Sequence, residues 1–348
     1  MTEQLCMSTR FAQVTEATAL AAADWVGRGD GLAADQAARE AMSAALSSIR
    51  FRGRVVAGRM TQDRFAPMQP GQLLGVETQV AGEDLQVTGE DLEGDTEPCS
   101  DLTSWDLAVA PLEGHEALSR GLEGALAMIA AAPTGGLMAV PEMYMQKIIV
   151  CREAAEAIDM RASVMANIRG VAEALNRSPE DLTVAVLNRP RHEDLIEEIK
   201  TSGARLKLIQ DGDVSAGIAA VVPETTIDML IGIGGSTEGI ITAAAIRCLG
   251  GAMQARFWPV SRSQVDNLKT LGIEDVETLL TTEDMAGDGV MTAMTAVTTG
   301  RFLQGVTTGS FGTRTETMVM CSQCHKVSMI KTIHRKDDAQ PTPPLWMS

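Results

Sequence analysis

Near the start of the chain, Phe11, Val14, Ala17, Leu20 and Ala21 fall at helical spacing, and the run Gly27-Arg-Gly-Asp-Gly31 then breaks the pattern. Ala33 to Ile49 resumes it, so the pattern predicts two helices between residues 10 and 49. Gly53-Arg-Val-Val-Ala57 reads as a buried strand, and Leu107–Ala110 and Ala125–Ala132 read as further buried stretches. Residues 82–101 are acidic, rich in glycine and without periodicity, which predicts an exposed insertion or long loop.

From Leu182 apolar strands alternate with amphipathic segments. Leu182–Leu187, Ala204–Ile209 and Asp228–Ile233 read as strands; His192–Ser202, Val214–Val222 and Ile240–Leu249 read as helices. This alternation predicts crossover units in a largely parallel sheet, an α/β fold. There is no short-period repeat of the kind that builds a solenoid. Three strand-to-helix junctions carry polar residues: Asn188-Arg-Pro-Arg-His192, Gln210-Asp-Gly-Asp213 and Gly234-Gly-Ser-Thr-Glu-Gly239. In an open α/β sheet such junctions lie at one edge, where ligands bind, and a glycine-rich turn at a helix start suits phosphate. Each junction taken alone also reads as ordinary turn chemistry.

Composition narrows the functional classes. The 348 residues are 45% hydrophobic but only 3% aromatic, so a large core must be packed with aliphatic side chains and the 20 methionines. A net charge of −17 argues against a nucleic-acid groove or a polybasic membrane surface. No apolar run reaches membrane-spanning length, and Met-Thr-Glu-Gln-Leu at the start lacks the pattern of a secretion signal. The expectation is a cytoplasmic protein or one of an organelle interior such as the plastid stroma. Six dispersed cysteines do not form a disulfide scaffold. Cys321-Ser-Gln-Cys324-His325 matches a covalent haem motif, a redox pair or half a zinc site, and equally a turn with two thiols. It lies between Thr317–Met320 and Val327–Ile330, which read as hairpin strands.

The run Asp106-Leu-Ala-Val-Ala-Pro-Leu-Glu-Gly-His115 resembles the Asp-Pro-(Leu/Ile)-(Asp/Glu)-Gly-Thr signature of lithium-sensitive sugar phosphatases. Ala110 replaces its first acid and His115 its threonine. With Gly27-Arg-Gly-Asp30, Ala34-Asp-Gln36, Pro141–Lys147, Arg189-Pro-Arg-His192, Asp211-Gly-Asp-Val214, Gly232-Ile-Gly-Gly235 and Arg247–Gly251, the chain is similar to class II fructose-1,6-bisphosphatases from Val14 to His334. The acidic stretch before the signature resembles the cyanobacterial branch, whose members also handle sedoheptulose-1,7-bisphosphate.

The resemblance implies a layered α/β sugar-phosphatase fold, Mn²⁺- or Mg²⁺-dependent hydrolysis of a sugar bisphosphate in gluconeogenesis or the Calvin cycle, and a homodimer or homotetramer. It implies an N-terminal metal-site half (1–180), holding the insertion, and a C-terminal sugar-phosphate half (181–348). Metal carboxylates are implied at 35, 59, 110, 113 and 238, where this sequence has Asp35, Arg59, Ala110, Glu113 and Glu238. Substrate contacts are implied at Glu113, Gly114, His115, Tyr144, Arg189, Pro190, Arg191, Asp211, Gly212, Asp213 and Gly235. Glu113 and His115 are the candidate catalytic groups.

The departures cluster where the chemistry needs negative charge. After the first strand, family members read approximately Gly-Glu-Gly-Glu-Arg-Asp-Glu-Ala-Pro-Met, whereas this chain has Gly58-Arg-Met-Thr-Gln-Asp-Arg-Phe-Ala-Pro-Met68. Gly31-Leu-Ala stands where Lys-Asn-Thr is usual. Divalent cations of this class want carboxylate oxygens, and a guanidinium cannot supply one. His115 offers an imidazole that can ligate a transition metal or act as a base. Two readings follow: a sugar-bisphosphate phosphatase with an eroded metal site and weak or lost activity, or an inactive sugar-phosphate-binding, regulatory or structural subunit with a protein partner.

Overall fold

The computed structural model describes residues 2–60, 63, 66–75, 104–223 and 225–335. The expected insertion at 82–101 lies outside them. In chain order, α1 (Thr2–Ala23) and α2 (Gly31–Ser47) precede β1 (Arg52–Gly58), β2 (Leu73–Leu74) and β3 (Ser104–Glu113). The short α3 (His115–Ser119) leads to β4 (Leu126–Pro133), β5 (Tyr144–Val150) and α4 (Val164–Ala174). Then come β6 (Thr183–Leu187), α5 (Glu193–Thr201), β7 (Arg205–Ile209), α6 (Asp213–Ala219), β8 (Met229–Gly235) and α7 (Ser236–Leu249). The chain closes with β9 (Ala252–Trp258), α8 (Arg262–Thr270), β10 (Leu280–Thr281), α9 (Thr282–Met285), β11 (Met291–Ala296), β12 (Thr307–Thr308), β13 (Gly312–Cys321) and β14 (Lys326–Arg335).

Two sheets stack with helices outside and between them. The first runs β12-β13-β11-β4-β3-β1-β2 with β14 on β13; the second runs β10-β9-β5-β8-β6-β7. Strand alternation sends successive side chains to opposite faces. Leu107, Val109, Ile129 and Ala131 therefore meet Phe11, Met42 and Leu46 of α1 and α2, while Ala108, Ala110, Met128 and Ala130 face the inner layer. In the second sheet, Ile148, Val184, Val186 and Ile231 face Ile168, Val171 and Ile199 of α4 and α5. Between the sheets lies α7, apolar on all sides through its middle, where Ile240, Ile241, Ala244 and Ile246 are buried.

The sequence-based strands and helices between 182 and 249 are present, but the sheet they enter is mixed. Only β6–β7 and β6–β8 are parallel in it; β5 and β9 lie antiparallel between β8 and β10. Nor do the sheets divide the chain at residue 180, because β5 stands in the second sheet and β11–β14 return to the first. That return pairs β11 with β4 from Met291↔Ala131 to Ala296↔Leu126 and fuses both ends of the chain into one core. No helix among the described residues is long and apolar enough to cross a membrane.

Candidate active site

The ends of β1, β3, β6, β7 and β8 and the start of β5 open on the same edge of the stack. There a cleft of about 490 Å³ is lined by Asp35, Arg59, Ala110, Glu113, Gly114, His115, Tyr144, Arg189, Arg191, Asp211, Asp213, Gly235 and Glu238. Pro190 and Gly212, the other two residues singled out from the sequence, adjoin the cleft in the chain without lining it. Gly212 supplies the left-handed φ of 78° that starts α6 and places Asp213.

One wall gathers carboxylates. Glu113 ends β3, Asp213 opens α6 and Glu238 sits in the first turn of α7. Burial pushes the Glu113 carboxyl well up, reinforced by Asp213, Glu238 and Asp211 and opposed by the Val214 N–H. The 3.3 Å bond from Val214 N serves Oε1; Oε2 is buried and finds no partner among the described residues. Glu238 is raised by burial and then by Asp213, with Lys147 opposing. Asp211 is likewise raised, chiefly by burial, while the Gly212 N–H and Arg189 oppose.

Behind this wall Lys147, fully buried on β5, donates to Asp213 Oδ2 at 2.5 Å and to the Gly235 carbonyl at 3.2 Å. Two glycines make this approach feasible: a Cβ at Gly234 would run into the Asp213 carboxylate, and one at Gly235 into that of Glu238. The sequence motifs do not single out Lys147 as functional. Its only signal in the sequence is a lone lysine in the otherwise apolar core of a strand, a residue rarely buried without a partner.

The opposite wall is cationic. Arg39 Nε donates to Asp35 Oδ2 at 2.7 Å, both on α2 and four residues apart, and Arg39 Nη1 donates to the carbonyls of Arg59 and Pro67 at 3.2 and 3.3 Å. Its Nη2 is buried without a partner among the described residues. Arg59 Nη1 lies 3.2 Å from His115 Nδ1, so that nitrogen accepts and the imidazole carries its proton on Nε2. Burial and then Arg59 lower the His115 pKa. Gly31 abuts His115; a Cβ there would lie 2.8 Å from the His115 carbonyl oxygen and 3.3 Å from its ring. The two sequence departures at 31 and 115 therefore touch. Ala110, 8% exposed, lines the cleft, pairs with Met128 across β3 and β4, and belongs to the inner apolar cluster.

At the far end, the Arg191 guanidinium stacks 4.6 Å from the Tyr144 ring centre and donates to the Ile233 carbonyl at 2.9 Å. His192, buried beneath, fixes the turn: Nδ1 donates to Leu187 O at 2.7 Å and Nε2 accepts from Ile233 N at 2.8 Å. The stacked, planar arginine beside Arg189 is suited to a phosphate group.

This layered α/β architecture, with its cleft at the strand ends, is that of the sugar phosphatases. A family profile described as bacterial fructose-1,6-bisphosphatase, glpX-encoded, matches residues 5–334, and the chain belongs to this class II fructose-1,6-bisphosphatase family. It is 38% identical to the D-fructose 1,6-bisphosphatase class 2/sedoheptulose 1,7-bisphosphatase of Synechococcus sp. (strain JA-3-3Ab), over 94% of this chain and 95% of that relative. Proteins of the same description from Synechocystis sp. and Trichodesmium erythraeum are 36% and 35% identical, over 93% and 92% of this chain and 95% and 94% of their own lengths. The family is one of metal-dependent phosphatases acting on sugar bisphosphates.

Proposed function

We propose that this chain binds a sugar bisphosphate in the cleft, through Tyr144, Arg189, Arg191 and the Asp211–Asp213 turn, but hydrolyses it slowly or not at all. The observation that carries this reading is the Arg39–Asp35 ion pair, which occupies a carboxylate that the family resemblance assigns to metal. Arg59 stands beside it, and Ala110 offers no oxygen.

A two-ion phosphatase centre holds its cations about 3.5–4 Å apart with carboxylate oxygens on both. With Asp35 bound to Arg39, Glu113 and Glu238 are what remains of the carboxylates that the resemblance assigns to metal. Among the described residues no group of three or more His, Cys, Asp or Glu side chains is arranged to hold a metal ion. A guanidinium a few ångströms from a dication repels it by several kcal/mol, even at an effective dielectric of about 20. The residues present do not fit a two-ion centre.

Guanidinium groups bind phosphate without turning it over, so Arg59, at the mouth of this wall, replaces the charge of a metal towards the second phosphate. A chain of this kind serves as a sugar-phosphate-binding, regulatory or structural subunit, assembled with itself as a homodimer or homotetramer or with a protein partner. The test is a phosphatase assay on fructose 1,6-bisphosphate with Mn²⁺ or Mg²⁺, beside calorimetry with chelator. We expect turnover at least about 10²-fold below that of the Synechococcus relative, together with metal-free binding. Turnover at the relative's rate overturns the reading and makes His115 the relocated ligand; absence of binding at millimolar ligand leaves a structural role alone.

A further inference from the structure

Away from the cleft, Cys248 converges with two thiols much further along the chain, Cys321 and Cys324. Cys321 is buried as the last residue of β13, and Cys324 is half-buried three residues later, in the turn before β14. The hairpin closes on the pair Cys321↔Lys326, and His325 takes a left-handed φ of 49°, a conformation unusual for histidine. In this turn both thiols pack into the same apolar cluster, Cys321 within it and Cys324 against it.

The third thiol, Cys248, lies at the end of α7. Its Sγ donates to the Val290 carbonyl at 3.5 Å, and that same carbonyl accepts the Ser322 N–H at 2.9 Å. One acceptor thus ties the helix end to the hairpin turn. Cys248 and Ser322 also border a cavity of about 920 Å³. No cluster among the described residues has a metal-binding arrangement, and Cys151, Cys248, Cys321 and Cys324 are all free thiols.

We propose that Cys321 and Cys324 form a reversible disulfide by exchange with a low-molecular-weight disulfide of the glutathione type. Cys324, the more exposed of the pair, attacks as thiolate and forms a mixed disulfide, releasing one thiol of the reagent. Cys321 then attacks the Cys324 sulfur and releases the second. The two protein thiols are oxidised, the reagent disulfide is reduced to two thiols, and both protons end on those products.

Burial, together with the neighbouring Cys321 thiol, raises the Cys324 thiol, so its thiolate is scarce at neutral pH. Exchange is accordingly slow, and the disulfide once formed is hard to reduce, because Lys326, which favours the thiolate, is outweighed by burial and by Cys321. Burial pushes the Cys248 thiol up further, which keeps it out of the exchange despite its proximity.

The experiment equilibrates the full chain in glutathione buffers of increasing oxidised fraction, quenches with an alkylating agent and maps the peptides by mass spectrometry. Two thiols are expected to be lost together, in one peptide joining Cys321 to Cys324. C321S and C324S each abolish the linkage, whereas C248S leaves it unchanged. Full alkylation in the most oxidising buffer overturns the proposal. So does a bond from Cys248 to either partner, or glutathione retained on Cys324 without ring closure. Circular dichroism checks the fold of each variant, and C324S, altered on the turn, decides the question if C321S does not fold.

Discussion

Arg39 Nε and Asp35 Oδ2 lie 2.7 Å apart on one face of α2, with Arg39 1% exposed. The pair couples two things: it neutralises a carboxylate that the family resemblance places on metal, and it holds the backbone after β1 through Nη1. Removing one partner of a buried pair strands the other charge. Arg39→Met should therefore cost about 3 kcal/mol of stability in urea unfolding with chelator present. Asp35→Asn added to Arg39→Met should recover part of that loss. Equal destabilisation with and without Asp35→Asn would mean that Arg39 acts through the Arg59 and Pro67 carbonyls alone.

A second pair makes a parallel prediction at the other wall. Lys147 and Asp213 meet at 2.5 Å because Gly234 leaves room for the carboxylate. Gly234→Ala introduces a methyl group against that carboxylate and should cost about 1–3 kcal/mol, as overpacking does. In Lys147→Met the partner charge is gone and Asp213 is free to shift, so the same alanine should cost less there. Unfolding curves of the four proteins test the coupling; additive losses would separate the glycine from the ion pair.

How much of the molecule is legible in its sequence depends on the range of the interaction. The helices around Asp30–Gly31 and the units between 182 and 249 follow from local periodicity and turn residues. The segment 291–296, Met-Thr-Ala-Met-Thr-Ala, gives no such signal, because β11 is buried on both faces and is fixed by its neighbours β4 and β13. The expected parallel sheet is mixed instead, since β5 enters from outside the βα units and runs against both β8 and β9. At the site, the positions of Glu113, His115 and Arg191 carry over by resemblance. Arg39 is visible as Asp35-x-x-x-Arg39, one turn apart, but its meaning needs the knowledge that α2 turns this face to the cleft. The approach of Cys248 to the Cys321–Cys324 turn is wholly tertiary.

His192 gives the fold a pH dependence. Burial lowers its pKa below the ordinary value near 6.5, aided by Arg191 and Arg189 and opposed by its bond to Leu187 O and by Asp213. Protonation would remove the acceptor that Nε2 presents to Ile233 N. The folded state disfavours the charged ring, so its contribution is complete above about pH 6.5 and is lost as pH falls through the depressed folded value. Urea midpoints of the wild type should drop from about pH 7.5 to about pH 5.5 more steeply than those of His192→Gln. Matching slopes would assign the acid sensitivity to other groups.

Arg59 carries the last prediction, because its effect should change sign with its surroundings. In chelator, Arg59→Glu sets a carboxylate against a phosphate in a partly desolvated cleft and should weaken bisphosphate binding by at least about tenfold, a loss of about 1.4 kcal/mol. Combined with Ala110→Asp, the same substitution adds a ligand instead of removing a cation, and with Glu113 and Glu238 beside it should create Mn²⁺-dependent affinity. Calorimetry of wild type, both single variants and the double variant, with and without Mn²⁺, measures this coupling. A non-additive effect that appears only with metal is expected. Additive effects that ignore Mn²⁺ would show that positions 59 and 110 do not share a site, and would leave Arg59 without a part in holding the second phosphate.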